Sequence, residues 1–232
     1  MANILVTGTS RGIGAAILAA FDGQQVVGHS TGGGANAIAA DLADPEQVTA
    51  LWWAALGRLD GRIDVLVNNA GVFEAAPIES EDADWLAGWE RTMQVNLTAS
   101  AALCRLAVLH FREVGGGRIV NVASRAAYRG DSPKHWHYAA SKAGMIGMTK
   151  TIARGYAAEN ILAFAVCPGF TMTGMAEDYV ASRGGDKLLA DIPLGRVASA
   201  EEVAETVRWL AVDAPASATG AVIDVNGASY VR

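Results

Sequence analysis

Short, continuously apolar runs spaced by longer segments of helical periodicity leave this chain few folds to choose from. NILVTG, QQVVGHS, IDVLVNNAG, GRIVNVAS and ILAFAVCPG are strand-length and apolar nearly throughout, with little polar alternation. Strands of that kind are buried on both faces, as in parallel sheets covered above and below by helices. The pattern predicts an α/β fold: one Rossmann-type doubly wound parallel sheet with helices on both faces. Two helix starts are written explicitly. Asp44-Pro45-Glu46 offers an N-cap, a proline at the first helical position and a first-turn acid, and Ser199 with Glu202 forms a capping box. One connection is too short for the pattern. Between QQVVGHS and AIAADL lies only STGGGAN, and a helical crossover needs about a dozen residues or more. The helix between strands 2 and 3 is therefore expected to be replaced by a short loop.

A chain of 232 residues, 51% hydrophobic, can bury a full core, and that length suits a single domain spanning 1–232. The net charge of −6 is made of mixed signs, which gives no footprint for nucleic acid or an anionic membrane and points to small-molecule partners. No apolar stretch approaches the ~18 residues of a membrane span. The chain enters NILVTG almost at once, so a cytoplasmic protein is expected. Cys104 and Cys167 lie far apart, with no ligand-like spacing and no disulfide framework. His135 and His137 are two residues apart, on different sides of a helix, and nothing near completes a metal site, so none is expected. A solvated helix start is the expected setting for both, with a place at the substrate entrance as the other reading. His29 and His110 are isolated, and the six tryptophans are assigned to core or interface packing.

Thr7-Gly8-Thr9-Ser10-Arg11-Gly12-Ile13-Gly14 follows the first strand and opens a helix. Glycines there allow a tight turn and close approach of a pyrophosphate to the helix N-terminus. Further on come Asn68-Asn69-Ala70-Gly71, Asn96, Ser124, and Tyr138 four residues before Lys142 on one helix face. In this order and at these separations, over nearly the whole chain, the set resembles the classical short-chain dehydrogenase/reductase family. Its nearest likeness in TGTSRGIG and PLGR is to the 3-oxoacyl-carrier-protein reductases.

The resemblance implies an oxidoreductase that transfers a hydride between a nicotinamide cofactor and a ketone or secondary alcohol. Gly8, Gly12 and Gly14 carry over as the dinucleotide turn, with Ser10 and Ile13 as further contacts. Asp41, with Leu42 beside it, matches the adenine contact. Asn68, Ala70 and Gly71 match the segment that supports the central strand and passes along the cofactor. Pro168 and Gly169 match the turn at the nicotinamide, with Thr171 or Thr173 as hydrogen-bonding partners. Tyr138 is implied as acid/base, Ser124 as second donor to the reacting oxygen, Lys142 as phenolate stabiliser and ribose ligand, and Asn96 as holder of a water leading from Lys142 to solvent. Tyr138 and Lys142 thus belong to the cofactor site as well.

An acid ending the second strand would repel a 2′-phosphate, and this strand ends Gly28-His29-Ser30-Thr31. Arg11 sits at the position that is basic in family members using the phosphorylated cofactor, and Ser30 or Thr31 can donate to the same phosphate. NADP(H) is the expected cofactor. Residues 171–196 correspond to the family's substrate lid, and a dimer or tetramer is expected. Arg125 and Arg129 carry two readings, receptors for an acidic carrier or phosphopantetheine and solvated loop arginines. NAD(H)-dependent oxidation of a sugar, steroid or other alcohol, and a non-catalytic nucleotide-binding regulator, are the rival functions.

Overall fold

The computed structural model describes residues 1–172 and 189–232. Seven strands form one parallel sheet: β1 (Asn3–Thr7), β2 (Gln25–Ser30), β3 (Ala37–Ala39), β4 (Val65–Asn68), β5 (Gly117–Val122), β6 (Ile161–Pro168) and β9 (Val222–Val225). A separate pair, β7 (Thr171–Met172) and β8 (Ala198–Ser199), lies between β6 and β9 in the chain. The sheet order is β3-β2-β1-β4-β5-β6-β9, so the winding reverses between β1 and β4. This is the expected doubly wound α/β architecture, and at such a reversal the carboxyl ends of the strands leave a crevice for a ligand.

Within each strand the apolar side chains divide between two cores. Leu5, Leu66, Ile119 and Ala163 face helices α2 (Pro45–Arg58), α4 (Ala99–Val114) and α6 (Trp136–Tyr156), with Trp52, Leu103, Phe111 and Ile152 buried against them. Ile4, Val6, Val67, Val120, Phe164 and Val166 face the opposite way, against Ile17 and Phe21 from α1 (Gly12–Ala20) and its end and Val203 and Val207 from α7 (Ala200–Arg208). Burial on both faces is why these strands read as continuous apolar runs. Of the six tryptophans Trp52 alone is a core residue. Trp53 and Trp136 are more than half exposed, so the core half of the expectation applies to Trp52 alone.

The helix starts form as written. The Asp44 side chain accepts from Glu46 N ahead of Pro45, and Ser199 and Glu202 make the reciprocal capping box. The β2–β3 connection contains no helix. Gly28 N donates to Asn36 O at 2.8 Å and Gly33 N to Ser30 O at 3.2 Å, folding residues 31–36 into a compact turn.

A polar ladder runs through the core between β4, β5 and α6. Asn68 Nδ2 donates to Asn121 Oδ1 at 2.9 Å, and Asn121 Nδ2 donates to Thr149 Oγ1 at 2.8 Å. All three residues are essentially inaccessible, so each hydrogen bond offsets the cost of desolvating an amide or hydroxyl. Thr149→Val keeps the shape and removes the acceptor of Asn121 Nδ2. It is expected to lower the free energy of unfolding by about 1–3 kcal/mol, measured by urea denaturation, and an unchanged midpoint would show that the ladder is not needed.

Candidate active site

The glycine-rich turn is built by contacts that exclude side chains. Gly8 has φ +73°, and a Cβ there would lie 2.7 Å from Ala70 Cα. A Cβ on Gly14, in the first turn of α1, would lie 1.9 Å from Gly8 O. The turn therefore presses directly on the segment after β4. Thr7 Oγ1 accepts from Asn69 N and Ala70 N, both at 3.0 Å, while Asn69 Nδ2 donates to Thr7 O and Gly8 O, both at 3.0 Å. Asn69 is the clamp across the reversal point, and its only sequence signal is its place in the doublet Asn68-Asn69. Asn68 itself is buried in the polar ladder and also donates to Cys104 Sγ at 3.3 Å.

Arg11 and Ser10 are exposed at the outer side of this turn, and the Arg11 guanidinium has no hydrogen-bonding or ionic partner among the described residues. Ile13 is partly buried against the second core. Ser30 is buried and its hydroxyl donates to Gly33 O at 3.0 Å, whereas Thr31 is exposed. Asp41 is half-buried, with Oδ1 accepting from Ala43 N at 2.9 Å, and Leu42 is in the core.

On the other side of the reversal the catalytic candidates converge. Ser124 lies just past β5, buried, with Oγ accepting from Ala126 N at 3.1 Å. Tyr138 and Lys142 come from the first turns of α6. Lys142 Nζ donates to Val122 O at 2.8 Å and stands 5.9 Å from the centre of the Tyr138 ring. Burial pushes the Tyr138 phenol above its ordinary value, with the Ser124 hydroxyl working against the shift. Burial also pulls the Lys142 ammonium down to about 8. Gly71 borders this group, since a Cβ on it would lie 3.3 Å from Asn96 Oδ1 and 3.6 Å from Lys142 Nζ.

The helical segment around Asn96 is interrupted. α3 (Asp82–Met93) and α4 are joined by a π-turn, Gln94–Thr98. Such a turn carries one extra residue and displaces carbonyls from the regular ladder, as is common at functional sites. Asn96 sits in its middle, fully buried. Its Oδ1 accepts from Val72 N at 2.8 Å and its Nδ2 donates to Val72 O at 3.0 Å and to Ser141 Oγ at 3.3 Å. The side chain fastens the segment after Gly71 to α6, the helix that carries Tyr138 and Lys142.

Pro168 ends β6, and Gly169 is packed so closely that a Cβ would lie 2.7 Å from Asn226 Cβ. Thr171 is buried, with Oγ1 donating to Gly169 O at 3.2 Å. Thr173 lies outside the described residues.

Two expectations about neighbouring groups need correction. His137 is not solvated. It is buried, with Nε2 3.0 Å from Glu74 O, because α6 packs it beneath Trp89 and the chain leading to α3. His135 stacks on Phe73 at 3.9 Å, and Phe73 meets the Tyr138 ring edge-on at 4.7 Å. These rings form an aromatic wall beside the phenol. Arg125 and Arg129 are not loose loop residues either. Both face Asp191, at 3.6 and 2.6 Å, and Arg129 also donates to Ser229 O at 3.1 Å. They tie the segment after Ser124 to the chain near Asp191. His29, set aside as isolated, is buried against Gly8 and Ala40. Among the described residues no cluster of His, Cys, Asp or Glu could hold a metal, and no helix is long and apolar enough to cross a membrane.

The buried ammonium has a measurable cost. An unfolded lysine keeps its proton to about 10.5 and Lys142 in the fold to about 8, so the unfolded chain binds more protons between those values. Stability then rises as pH increases through that window. Relative to Lys142→Met, the wild-type chain is expected to gain roughly 3 kcal/mol between pH 7.5 and 10.5, read from urea unfolding of both proteins. Parallel pH profiles would mean that the ammonium is not strained.

Comparison with known proteins agrees with this geometry. A family profile described as Enoyl-(Acyl carrier protein) reductase matches residues 9–228. A 3-oxoacyl-[acyl-carrier-protein] reductase of Synechocystis is 38% identical, covering 96% of this chain and 94% of its own. A D-threitol dehydrogenase of Mycolicibacterium smegmatis is 33% identical over 98% and 92%. A 3beta-hydroxysteroid dehydrogenase 1 of Eggerthella lenta is 35% identical over 97% and 92%. With a reversal-point glycine turn, a serine at a strand end and a tyrosine and lysine on one helix face, the chain belongs to the short-chain dehydrogenase/reductase family of oxidoreductases.

Proposed function

We propose that the protein uses NADP(H) to interconvert a ketone and a secondary alcohol, working as a reductase at neutral pH, with a 3-oxoacyl thioester as the leading substrate class. The observation that carries this reading is the convergence of Ser124, Tyr138 and Lys142 beside a glycine turn that ends in an unpaired arginine. The turn fits the dinucleotide because its glycines let the backbone fold tightly against Ala70 and into the first turn of α1, where backbone N–H groups at the helix N-terminus can receive a pyrophosphate. Ser10 and Ile13 extend that surface. Arg11, with Thr31, is free to meet a 2′-phosphate, and Asp41 and Leu42 lie toward the adenine. Ala70, Gly71, Pro168, Gly169, Thr171 and Thr173 would run along the nicotinamide half, with Lys142 on its ribose.

When bound, the cofactor supplies the hydride that becomes the hydrogen on the alcohol carbon. The residues of the chain handle the oxygen. As negative charge develops there, Ser124 donates a hydrogen bond and Tyr138 gives up its phenolic proton. A phenol carries its proton at neutral pH, and burial, which raises its value, only strengthens that, so the proton is present to be given to the developing oxyanion. Lys142, still largely protonated at pH 7 with a value of about 8, stabilises the phenolate that forms. Asn96 holds the segment after Gly71 beside Lys142, where a water can return the proton.

The relatives' names cover a thioester, a sugar alcohol and a steroid, which supports the carbonyl/alcohol class more than any one member. The aromatic wall of Phe73 and His135 supports an apolar substrate next to Tyr138. Residues 171–196 are proposed as the lid. Exposed Leu109 and Trp136 on α4 and α6 support a homo-oligomer.

Oxidation of NADPH in the presence of a short 3-oxoacyl thioester, followed by absorbance, tests the activity. Tyr138→Phe is expected to lose on the order of 10²–10⁴-fold in kcat, and full turnover in that variant would remove the phenol from the mechanism. Arg11→Ala is expected to weaken NADPH by about tenfold or more while sparing NADH, measured by fluorescence titration. Equal losses for both would count against NADP(H).

A further inference from the structure

Both ring nitrogens of His29 are committed. Gly8 N donates to Nδ1 at 3.2 Å, and Nε2 lies 3.0 Å from Ala40 O. A carbonyl accepts only, so Nε2 carries the proton, and Nδ1, as acceptor, is bare. The His29 backbone joins the same turn, its carbonyl accepting from Thr9 N at 2.8 Å and Thr9 Oγ1 at 3.2 Å. The residue is 3% exposed. It stands opposite Thr7 in the β1–β2 register, where one strand becomes the glycine turn. The short β2–β3 connection is what brings Ala40 within reach.

We infer that His29 is a positioning residue of the cofactor turn, holding Gly8 through one ring nitrogen and the end of β3 through the other. The inference rests on the proposed binding of a nicotinamide dinucleotide at this turn. With Nδ1 as acceptor, Gly8 is held in its left-handed conformation before any ligand arrives, so a pyrophosphate meets a formed cradle. The ring can do this only when uncharged. A second proton would go on Nδ1, against the Gly8 N–H, and two donors cannot share that contact.

The charged surroundings do little to favour that proton. β1 and its turn present Thr7, Gly8 and Thr9 to the ring. Burial lowers the value most, against smaller upward pulls from the hydrogen bond to Ala40 O, just past β3, and from the charge of Asp41 after it. The ring therefore stays neutral below the ordinary histidine range. Cofactor affinity is held at neutral pH and falls when acid finally protonates the site.

The test is titration of NADPH and of NADH by fluorescence from pH 5 to 8, on wild type, His29→Leu and His29→Asn, with thermal unfolding of each. His29→Leu removes the acceptor and is expected to weaken both cofactors alike, by about tenfold. That equality separates it from Arg11→Ala. In His29→Asn the amide oxygen can take the place of Nδ1 but does not titrate. This variant is expected to bind within about threefold of wild type at pH 8 and to lose less affinity on acidification, an effect a merely structural role would not produce. The inference is overturned if His29→Leu, folded, binds both cofactors like wild type, if its loss is confined to NADPH, or if His29→Asn shows the same acid loss as wild type. Should His29→Leu not fold, the pH comparison of His29→Asn with wild type decides alone. If wild type binds neither cofactor, the reading of the site fails and this inference with it, whereas wild-type binding with indifferent variants sinks this inference only.

Discussion

The carboxyl ends of β1 and β4 are pinned together by a reciprocal pair of side chains, and the site is arranged around that join. Thr7 accepts from the backbone after β4, and Asn69 donates to the backbone after β1. Two neighbouring parallel strands whose chains leave in opposite directions would otherwise splay and let water into the gap. Held together, they bring Gly8 so close to Ala70 and Gly14 that no side chain fits. The glycines are thus consequences of the clamp. From the same join the segment after Asn69 reaches Asn96 and Lys142, so the nucleotide side and the chemical side of the crevice share one anchor.

The electrostatics of the chemical side follow from burial. A lysine and a phenol enclosed with few polar partners each drift toward their neutral forms, and for the phenol this is opposite to what a base would need. A positive charge brought close to the pair would act oppositely on the two groups, lowering the phenol and further lowering the ammonium.

Features whose physics is local were legible in the sequence. Continuous apolarity marked strands buried twice over, the Asp44-Pro45 and Ser199-Glu202 caps marked helix starts, and the length of STGGGAN ruled out a helix between β2 and β3. Tyr138, Lys142 and Ser124 stood out only as a set that resembles the family, since a tyrosine and lysine at helical spacing or a serine after a strand is by itself an ordinary surface or turn feature. What stayed hidden depends on partners distant in the chain. Asn69 reads like any turn asparagine until Thr7 lies opposite it. His29 reads as solitary and His137 as solvated until the fold supplies Gly8, Ala40 and Glu74. Arg125 and Arg129 gain a shared carboxylate only when Asp191 comes round from the far side of β6. The π-turn has no compositional signature, because one residue too many in a helix is a property of how its two halves pack.

That extra residue fixes a rotational phase. Each α-helical residue advances the chain by about 100° around the axis, so one inserted position lets the faces of α3 and α4 be chosen independently. α4 turns Leu103, Ala107 and Phe111 to the sheet, while α3 sends Trp85 and Trp89 toward the start of α6. A continuous helix could keep one of those alignments only. The π-turn works as a coupling between two misphased rods, and Asn96 occupies the single point where the core of the protein and the mouth of its crevice are brought into step.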